Sequence, residues 1–250
     1  MREGPRLHLS ACIVTYNDQA EALRAAASVL AHTRRHPLTL YLVDNASPDG
    51  TGAALEQAVA AGALAPGPGQ AVRVIRREKN AGFGAGHNTV LPQLASDYHF
   101  ILNPDILLEG DTLSDLAEWL EGRPAAVMAR PALRFPDGRE QQLPLRRCSL
   151  RAMVYRQLSF LTFLKKYNDA YIMAGEDLTV PRPIEFCTGS FMAARTADLT
   201  QKMLRRGEVW LVPQYTAVHV WHRAAHRSLG PMLWQARSLC RYFGKWGFRL

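Results

Sequence analysis

Cysteine is scarce. The chain has four, Cys12, Cys148, Cys187 and Cys240, with no CxxC pair among them, so neither a zinc site nor a disulfide framework is expected. A reducing cytosol is the setting that fits. The N-terminus, MREGPRLHLSACIVTY, has no apolar run ahead of a small-residue cleavage site, and no stretch reaches the roughly 18 uninterrupted apolar residues of a spanning helix. The chain is therefore expected to be neither exported nor integral to a membrane. No internal repeat is evident. Acidic residues are missing from two windows. Residues 145–167 carry Arg146, Arg147, Arg151, Arg156, Lys165 and Lys166, and residues 218–250 carry Arg223, Arg227, Arg237, Arg241, Lys245 and Arg249, with no Asp or Glu in either.

The charge is thus concentrated. The net charge is +8, but these windows hold +12, which leaves −4 for the rest. Both windows also carry apolar and aromatic residues, among them Phe160, Phe163, Trp234, Tyr242, Phe243, Trp246 and Phe248. Basic residues among Trp, Phe and Leu suit a segment lying on anionic headgroups with its apolar face buried. A core-packed helix with a solvated basic side fits each window equally well. Nucleic acid is not expected as a partner, because no recognition motif accompanies the charge.

With 250 residues, 48% of them hydrophobic, the chain can bury one sizeable core. In the first half, short apolar runs alternate with helical patterns. Leu7–Tyr16, Leu38–Val43, Val72–Arg76, His99–Leu102 and Ala125–Met128 read as strands, and Gln19–Thr33, Gly52–Ala61, Ala85–Ala95 and Thr112–Glu121 as helices. This alternation predicts an α/β fold with a mainly parallel, Rossmann-like sheet and helices on both faces. Ala65-Pro66-Gly67-Pro68-Gly69 reads as a connector. After Pro131 the rhythm breaks at the turn Phe135-Pro136-Asp137-Gly138, and the second half reads as an elaboration that holds a second substrate.

Three strands end on polar residues: Thr15-Tyr16-Asn17, Asp44-Asn45-Ala46-Ser47 and Asn103-Pro104-Asp105. In an open α/β sheet, ligands collect beyond the carboxyl ends of the strands. Asp105 closes an apolar strand on a carboxylate, which makes it a candidate ligand for a hard divalent cation bound to a diphosphate. Asp44 is placed to accept hydrogen bonds from a nucleoside. Taken singly, Asn103-Pro104-Asp105 also fits an ordinary turn and Asp44-Asn45 a capped turn. Asn80-Ala81-Gly82-Phe83-Gly84-Ala85-Gly86-His87-Asn88 opens a helix with glycines that let backbone approach a ligand. It is not a dinucleotide fingerprint: GxGxxG from Gly82 needs glycine at 87, where His87 stands, and the segment follows the third strand rather than the first.

Together TYN (15–17), VDNAS (43–47), NAGFGAGHN (80–88), NPD (103–105), FCTGSF (186–191) and VHVWHRAAHRS (218–228) resemble, in order, the motifs of family 2 glycosyltransferases of the GT-A fold, especially the bacterial rhamnosyltransferase-like branch. The resemblance implies that Thr15, Tyr16, Asn17, Asp44, Asn45, Asn80, Gly82, Phe83, Asn88, Asn103 and Asp105 line the nucleotide-sugar pocket. Thr188, Gly189 and Ser190 would meet the acceptor or the donor sugar. NPD would stand in for the DxD motif, whose last aspartate binds Mn2+ or Mg2+. The family also places a metal-contacting histidine near the last strand. Of His219, His222 and His226, His219 is favoured, and an imidazole ligand tilts the choice towards manganese.

One part of the family pattern is absent. The Glu-Asp pair expected about 20 to 30 residues beyond TGSF, where the family keeps its catalytic base, has no counterpart: Phe191–Thr196 runs straight into Ala197-Asp198-Leu199. Three explanations compete. Asp198 is itself the base, a loop is missing from the chain near Thr196, or catalysis has been lost. The missing loop is favoured, because Ala197-Asp198-Leu199 resembles the family's sequence just after the pair. Glu176-Asp177 precedes TGSF and is not favoured as base.

The expectation is an inverting, metal-dependent hexosyltransferase acting in cell-envelope polysaccharide synthesis. It would move a sugar such as rhamnose from dTDP-rhamnose, or from a UDP-sugar, to a glycan or lipid-linked acceptor. The expected location is the cytoplasmic face of the membrane, as a peripheral protein. The GT-A domain would span 1–230, divided into a nucleotide-sugar half (1–135) and an acceptor half (136–230), with 231–250 a basic aromatic C-terminal helix. A noncatalytic sugar-nucleotide-binding partner of a glycan assembly complex is the alternative. A nucleotidyltransferase is disfavoured, because Thr15-Tyr16-Asn17-Asp18 offers no glycine-rich basic triphosphate loop.

Overall fold

Strand β1 (Leu9–Thr15), helix α1 (Gln19–His32), β2 (Leu38–Asp44), α2 (Thr51–Ala60), β3 (Gln70–Arg76), α3 (Phe83–Asn88) and β4 (Tyr98–Leu102) alternate through the first half of the chain. They are seen in a computed structural model that describes residues 6–143, 145–147, 149–158, 160–200, 207–220 and 244. Cys148, Cys240, His222, His226 and the expected C-terminal helix 231–250, Gly244 apart, lie outside the described residues. The run LSACIVT of β1 is buried at all seven positions, as a strand covered on both faces must be. In β3, QAVRVIR is only half-buried, which suits its place at the sheet edge. Helix α1 buries Ala22, Ala25, Ala26, Val29 and Leu30, a spacing of three and four that forms one apolar stripe.

The chain continues through β5 (Ile106–Leu107), α4 (Thr112–Glu121), β6 (Ala126–Arg134), α5 (Leu150–Gln157), α6 (Lys165–Tyr171), β7 (Arg182–Ile184), β8 (Phe191–Arg195), α7 (Thr196–Thr200) and β9 (Glu208–His219). The sheet runs β3-β2-β1-β4-β8-β6-β9-β5, with β7 also paired to β9. Strands β3, β2, β1 and β4 are parallel neighbours, as are β6 and β9, whereas β8, β5 and β7 run antiparallel to their partners. The second half is therefore not only an elaboration, because it supplies β7, β8 and β9 to the same sheet.

Three sequence expectations change. The helix expected over Ala85–Ala95 splits into α3 and a 3-10 turn at Leu91–Gln93, because Pro92 lacks an N–H to continue the ladder. Strand β6 does not stop at Met128 but runs on through Pro131. The proline is tolerated because the register with β9 shifts between Pro131 and Ala132, and proline is accepted in sheets at such irregularities. Nor is a loop missing near Thr196. The chain passes directly from β8 into α7. Thr196 N–H donates to the Asp97 carbonyl at 3.0 Å and the Thr196 hydroxyl meets Ser96 Oγ at 2.9 Å.

Two compact units result, one of Met1–Gln141 with Leu178–Val220 and one of Gln142–Asp177 with Trp221–Leu250. The whole sheet belongs to the first. Among the described residues no helix is long and apolar enough to cross a membrane.

Candidate functional site

The carboxyl ends of β1 and β2 carry the first cluster. Thr15 and Asp44 are register partners, and both are buried. The Thr15 carbonyl accepts from Asn45 N–H at 2.9 Å, and both Asp44 carboxylate oxygens accept from Ser47 N–H, at 3.2 and 3.4 Å. The turn after β2 is thus closed on the carboxylate, which keeps acceptor capacity for a ligand. Asn17 has φ 55° and donates its N–H to Ser47 Oγ at 2.9 Å; asparagine is among the few side chains that tolerate this left-handed region. A Cβ on Gly52, at the start of α2, would lie 2.5 Å from Asp44 Oδ2, so only glycine lets α2 close over the carboxylate.

Asn45 ties this cluster to the segment after β3. Its Nδ2 donates to Asn80 Oδ1 at 2.7 Å, and Asn80 Oδ1 also accepts from Gly82 N–H at 2.9 Å. Arg77, which the sequence reading missed, donates Nη1 to Asn45 Oδ1 and its N–H to the Asp44 carbonyl. The aromatic rings of Tyr16 and Phe83 stand exposed at the rim, as does Asn88 at the end of α3. α3 packs on β1 at Gly86, where a Cβ would lie 2.6 Å from Val14 Cγ1.

The second cluster forms where β4, β5, β8 and β9 meet. The pairing of Ile13 with Leu102 sets β4 beside β1, about 4.8 Å away. Asn103 N–H donates to the Ser190 carbonyl at 2.9 Å. Asp105 lies between Asn103 and β5, and the pairing of Ile106 with His219 carries the end of β9 to it. The Asp105 carbonyl accepts from Val220 N–H at 3.0 Å, and Asp105 Oδ2 stands 3.4 Å from His219 Nε2. Both side chains are largely buried. Thr188 and Ser190 share a hydroxyl contact of 2.9 Å, and Gly189 joins the two clusters, since a Cβ there would lie 3.3 Å from Phe83 Cε1.

Gln141 fixes the imidazole, and sequence reasoning missed it too. The turn at Phe135–Arg139, with Gly138 at φ 84°, folds the chain back so that Gln141 N–H donates to the Leu133 carbonyl at 2.8 Å. Leu133 pairs with Ala217 on β9, which sets Gln141 beside His219. Gln141 Nε2 donates to the His219 carbonyl at 2.8 Å, so its Oε1 must accept from His219 Nδ1, 2.7 Å away. With the proton on Nδ1, Nε2 of the neutral ring presents a lone pair towards the Asp105 carboxylate. Two acceptors facing each other are reconciled by a proton or by a metal cation.

One carboxylate and one imidazole oriented by an amide fit a divalent metal site, since metal-bound histidines are usually fixed through their second nitrogen. Carboxylate oxygen suits both Mg2+ and Mn2+, and the imidazole nitrogen is a softer donor than the hard Mg2+ ion prefers. Among the described residues no group of three or more His, Cys, Asp or Glu is placed to hold a metal ion.

Asp198 does not join the cluster. β8 runs antiparallel to β4, pairing Phe191 with Leu102 and Arg195 with Tyr98. It therefore delivers Asp198 to the opposite edge of the sheet, with the length of β8, roughly 13 Å at about 3.3 Å per residue, between it and the strand mouth. The expectation that Asp198 is the base is corrected on this ground.

A family model described as glycosyl transferase family 2 matches residues 10–199. Among solved structures, the mannosyltransferase PcManGT from Pyrobaculum calidifontis, in complex with GDP-Man and Mn2+, superposes with a TM-score of 0.61 at 16% identity, covering 97% of this chain and 65% of that one. GalNAc-T7 with UDP, GalNAc and Mn2+ gives 0.60 at 14% identity, covering 88% of this chain and 45% of that one. S. aureus TarS 1–349 in complex with UDP-GlcNAc gives 0.56 at 14% identity, covering 89% and 61%. At such identities the likeness is one of fold, and the chain spans less than two thirds of each of these proteins. No curated protein matches it. The mixed, mostly parallel sheet is that of GT-A glycosyltransferases.

Proposed function

The chain belongs to glycosyl transferase family 2, and from that premise we propose that it is an inverting, metal-dependent glycosyltransferase using a nucleotide diphosphate sugar. The observation that carries the proposal is the meeting of Asp105 with His219, whose ring Gln141 orients. In this reading Asp105 and His219 hold Mn2+ or Mg2+, which when bound supplies positive charge against the departing diphosphate. Asp44, Asn45 and Asn80 receive the nucleoside, and exposed Tyr16 and Phe83 offer faces for stacking. Thr188, Gly189 and Ser190 border the donor sugar and the acceptor. Nucleotide sugars and nucleotides bound to the structural neighbours support the donor class.

The finer reading is that rhamnose from dTDP-rhamnose, or the sugar of a UDP-sugar, passes to a glycan or lipid-linked acceptor in cell-envelope polysaccharide synthesis. The protein would work as a peripheral protein on the cytoplasmic face of the membrane, with the GT-A domain over 1–230 and the basic aromatic segment 231–250 lying on the bilayer. The acceptor hydroxyl needs a base as its oxygen attacks, and Asp198 is not carried forward in that role. The same observation favours a second reading, in which the fold serves as a noncatalytic sugar-nucleotide-binding partner. A donor panel with membrane extract and Mn2+, Mg2+ or chelator, followed by nucleoside diphosphate release, tests both. The proposal predicts metal-dependent release that Asp105→Ala abolishes. Donor binding with no release in the wild type would instead establish the binder.

A further inference from the structure

The unit formed by 142–177 and 221–250 holds twelve of the thirty basic residues but only three of the twenty-two acidic ones, a net of +9 against −1 for the rest of the chain. Within it, α5 is unusual. Leu150 and Val154 lie one turn apart on one helix face and Leu158 follows at the C-cap, yet they stay 37%, 37% and 40% exposed. Phe160 and Phe163 follow at 73% and 69%, the two most exposed large hydrophobic side chains among the described residues. Isolated apolar residues on a surface need no explanation, but five exposed large ones within fourteen consecutive residues mark an interaction face.

Positive charge rims this face. Arg151 Nη1 donates to the Tyr167 hydroxyl at 3.1 Å with its guanidinium over the ring, and Lys166 Nζ lies 5.2 Å from the same ring. Asp169 pairs with Lys165 and Glu176 with Arg146, each at 2.7 Å. These acids are engaged with bases of the same unit, and the excess charge is positive.

We propose that α5 and the turn through Phe160–Phe163 form a membrane-docking face, with the five apolar side chains entering the acyl boundary and Arg151, Lys165 and Lys166 among the phosphates. An anionic bilayer is the occupant because it presents apolar and negatively charged matter together. A second copy of the chain would bring like charge against the same face, and a nucleic acid would leave the aliphatic stripe in water. The inference deepens the membrane location given above, and its test reads vesicle binding without requiring sugar transfer.

The test is co-sedimentation of the full chain with vesicles of phosphatidylcholine alone and of phosphatidylcholine with about one third phosphatidylglycerol. Binding is expected only to the anionic vesicles, and about half-molar salt weakens it. Phe160→Ser with Phe163→Ser should lower the partition coefficient about tenfold or more, with circular dichroism and metal-dependent nucleotide release unchanged. The proposal is overturned if the double variant sediments like the wild type, if neither vesicle binds, or if light scattering shows a dimer that the double variant dissolves.

Discussion

Two histidines carry a cost that should appear as acid sensitivity. His87, at the end of α3, and His99, in β4, are buried, and His87 has neither ring nitrogen hydrogen-bonded. Burial pushes His87 down to about 4, and burial together with the charge of His87 pushes His99 down to about 3. Both are neutral in the fold. As pH falls below about 6.5 the unfolded chain takes up protons that the folded chain refuses, so stability is lost until the folded values are reached. At pH 5 the loss is ~2 kcal/mol per ring. Denaturant unfolding at pH 7 and pH 5 should show this fall, and His87→Leu should remove about half of it; an unchanged difference between the two pH values would contradict the assignment.

At the same scale, site residues were legible where the signal is local. Thr15, Asp44 and Asp105 each close an apolar run, so strand-end reasoning found them. Gln141 carried no such signal. The turn at Gly138 was legible, but the role of Gln141 exists only because β6 runs on through Pro131 beside β9, which brings His219 from more than seventy residues away. Asp198 was misread for the converse reason: a short motif carries no direction, and the antiparallel sense of β8 decides which edge of the sheet it reaches.

Among the elements, α3 shows how closely the site depends on packing. It crosses β1 at Gly86, where a Cβ would lie 2.6 Å from Val14 Cγ1 and 3.0 Å from Val14 Cγ2. Gly86→Ala must push the helix off the strand, at a cost of about 1–3 kcal/mol, and move Phe83 away from Gly189. The pair Gly86→Ala with Val14→Ala should be less destabilised than the sum of the single variants, because the second substitution removes the clashing methyls. Additive losses in a denaturation cycle would show that the contact does not limit the approach. The apolar 3.6-residue pattern continues past Asn88 and favours a longer helix, and Pro92, which interrupts the hydrogen bonds beneath that pattern, was the signal that it would be short.

For the whole molecule, the alternation in the first half is a local pattern and was readable as such. The second half was not. β7 spans three residues, too short to show a period, and β9 carries Pro213 within its run, near the point where its register with β6 shifts. These strands are held by distant partners, and they bring His219 to Asp105. The account therefore rests on a site assembled from β4, β5 and β9 around one cation. The most direct test is titration with Mn2+, followed by electron paramagnetic resonance in the presence of a nucleoside diphosphate, on the wild type, Asp105→Asn and Gln141→Leu. One Mn2+ per chain is predicted, lost in Asp105→Asn and weakened about 10- to 100-fold in Gln141→Leu. Wild-type affinity in both variants would contradict the account.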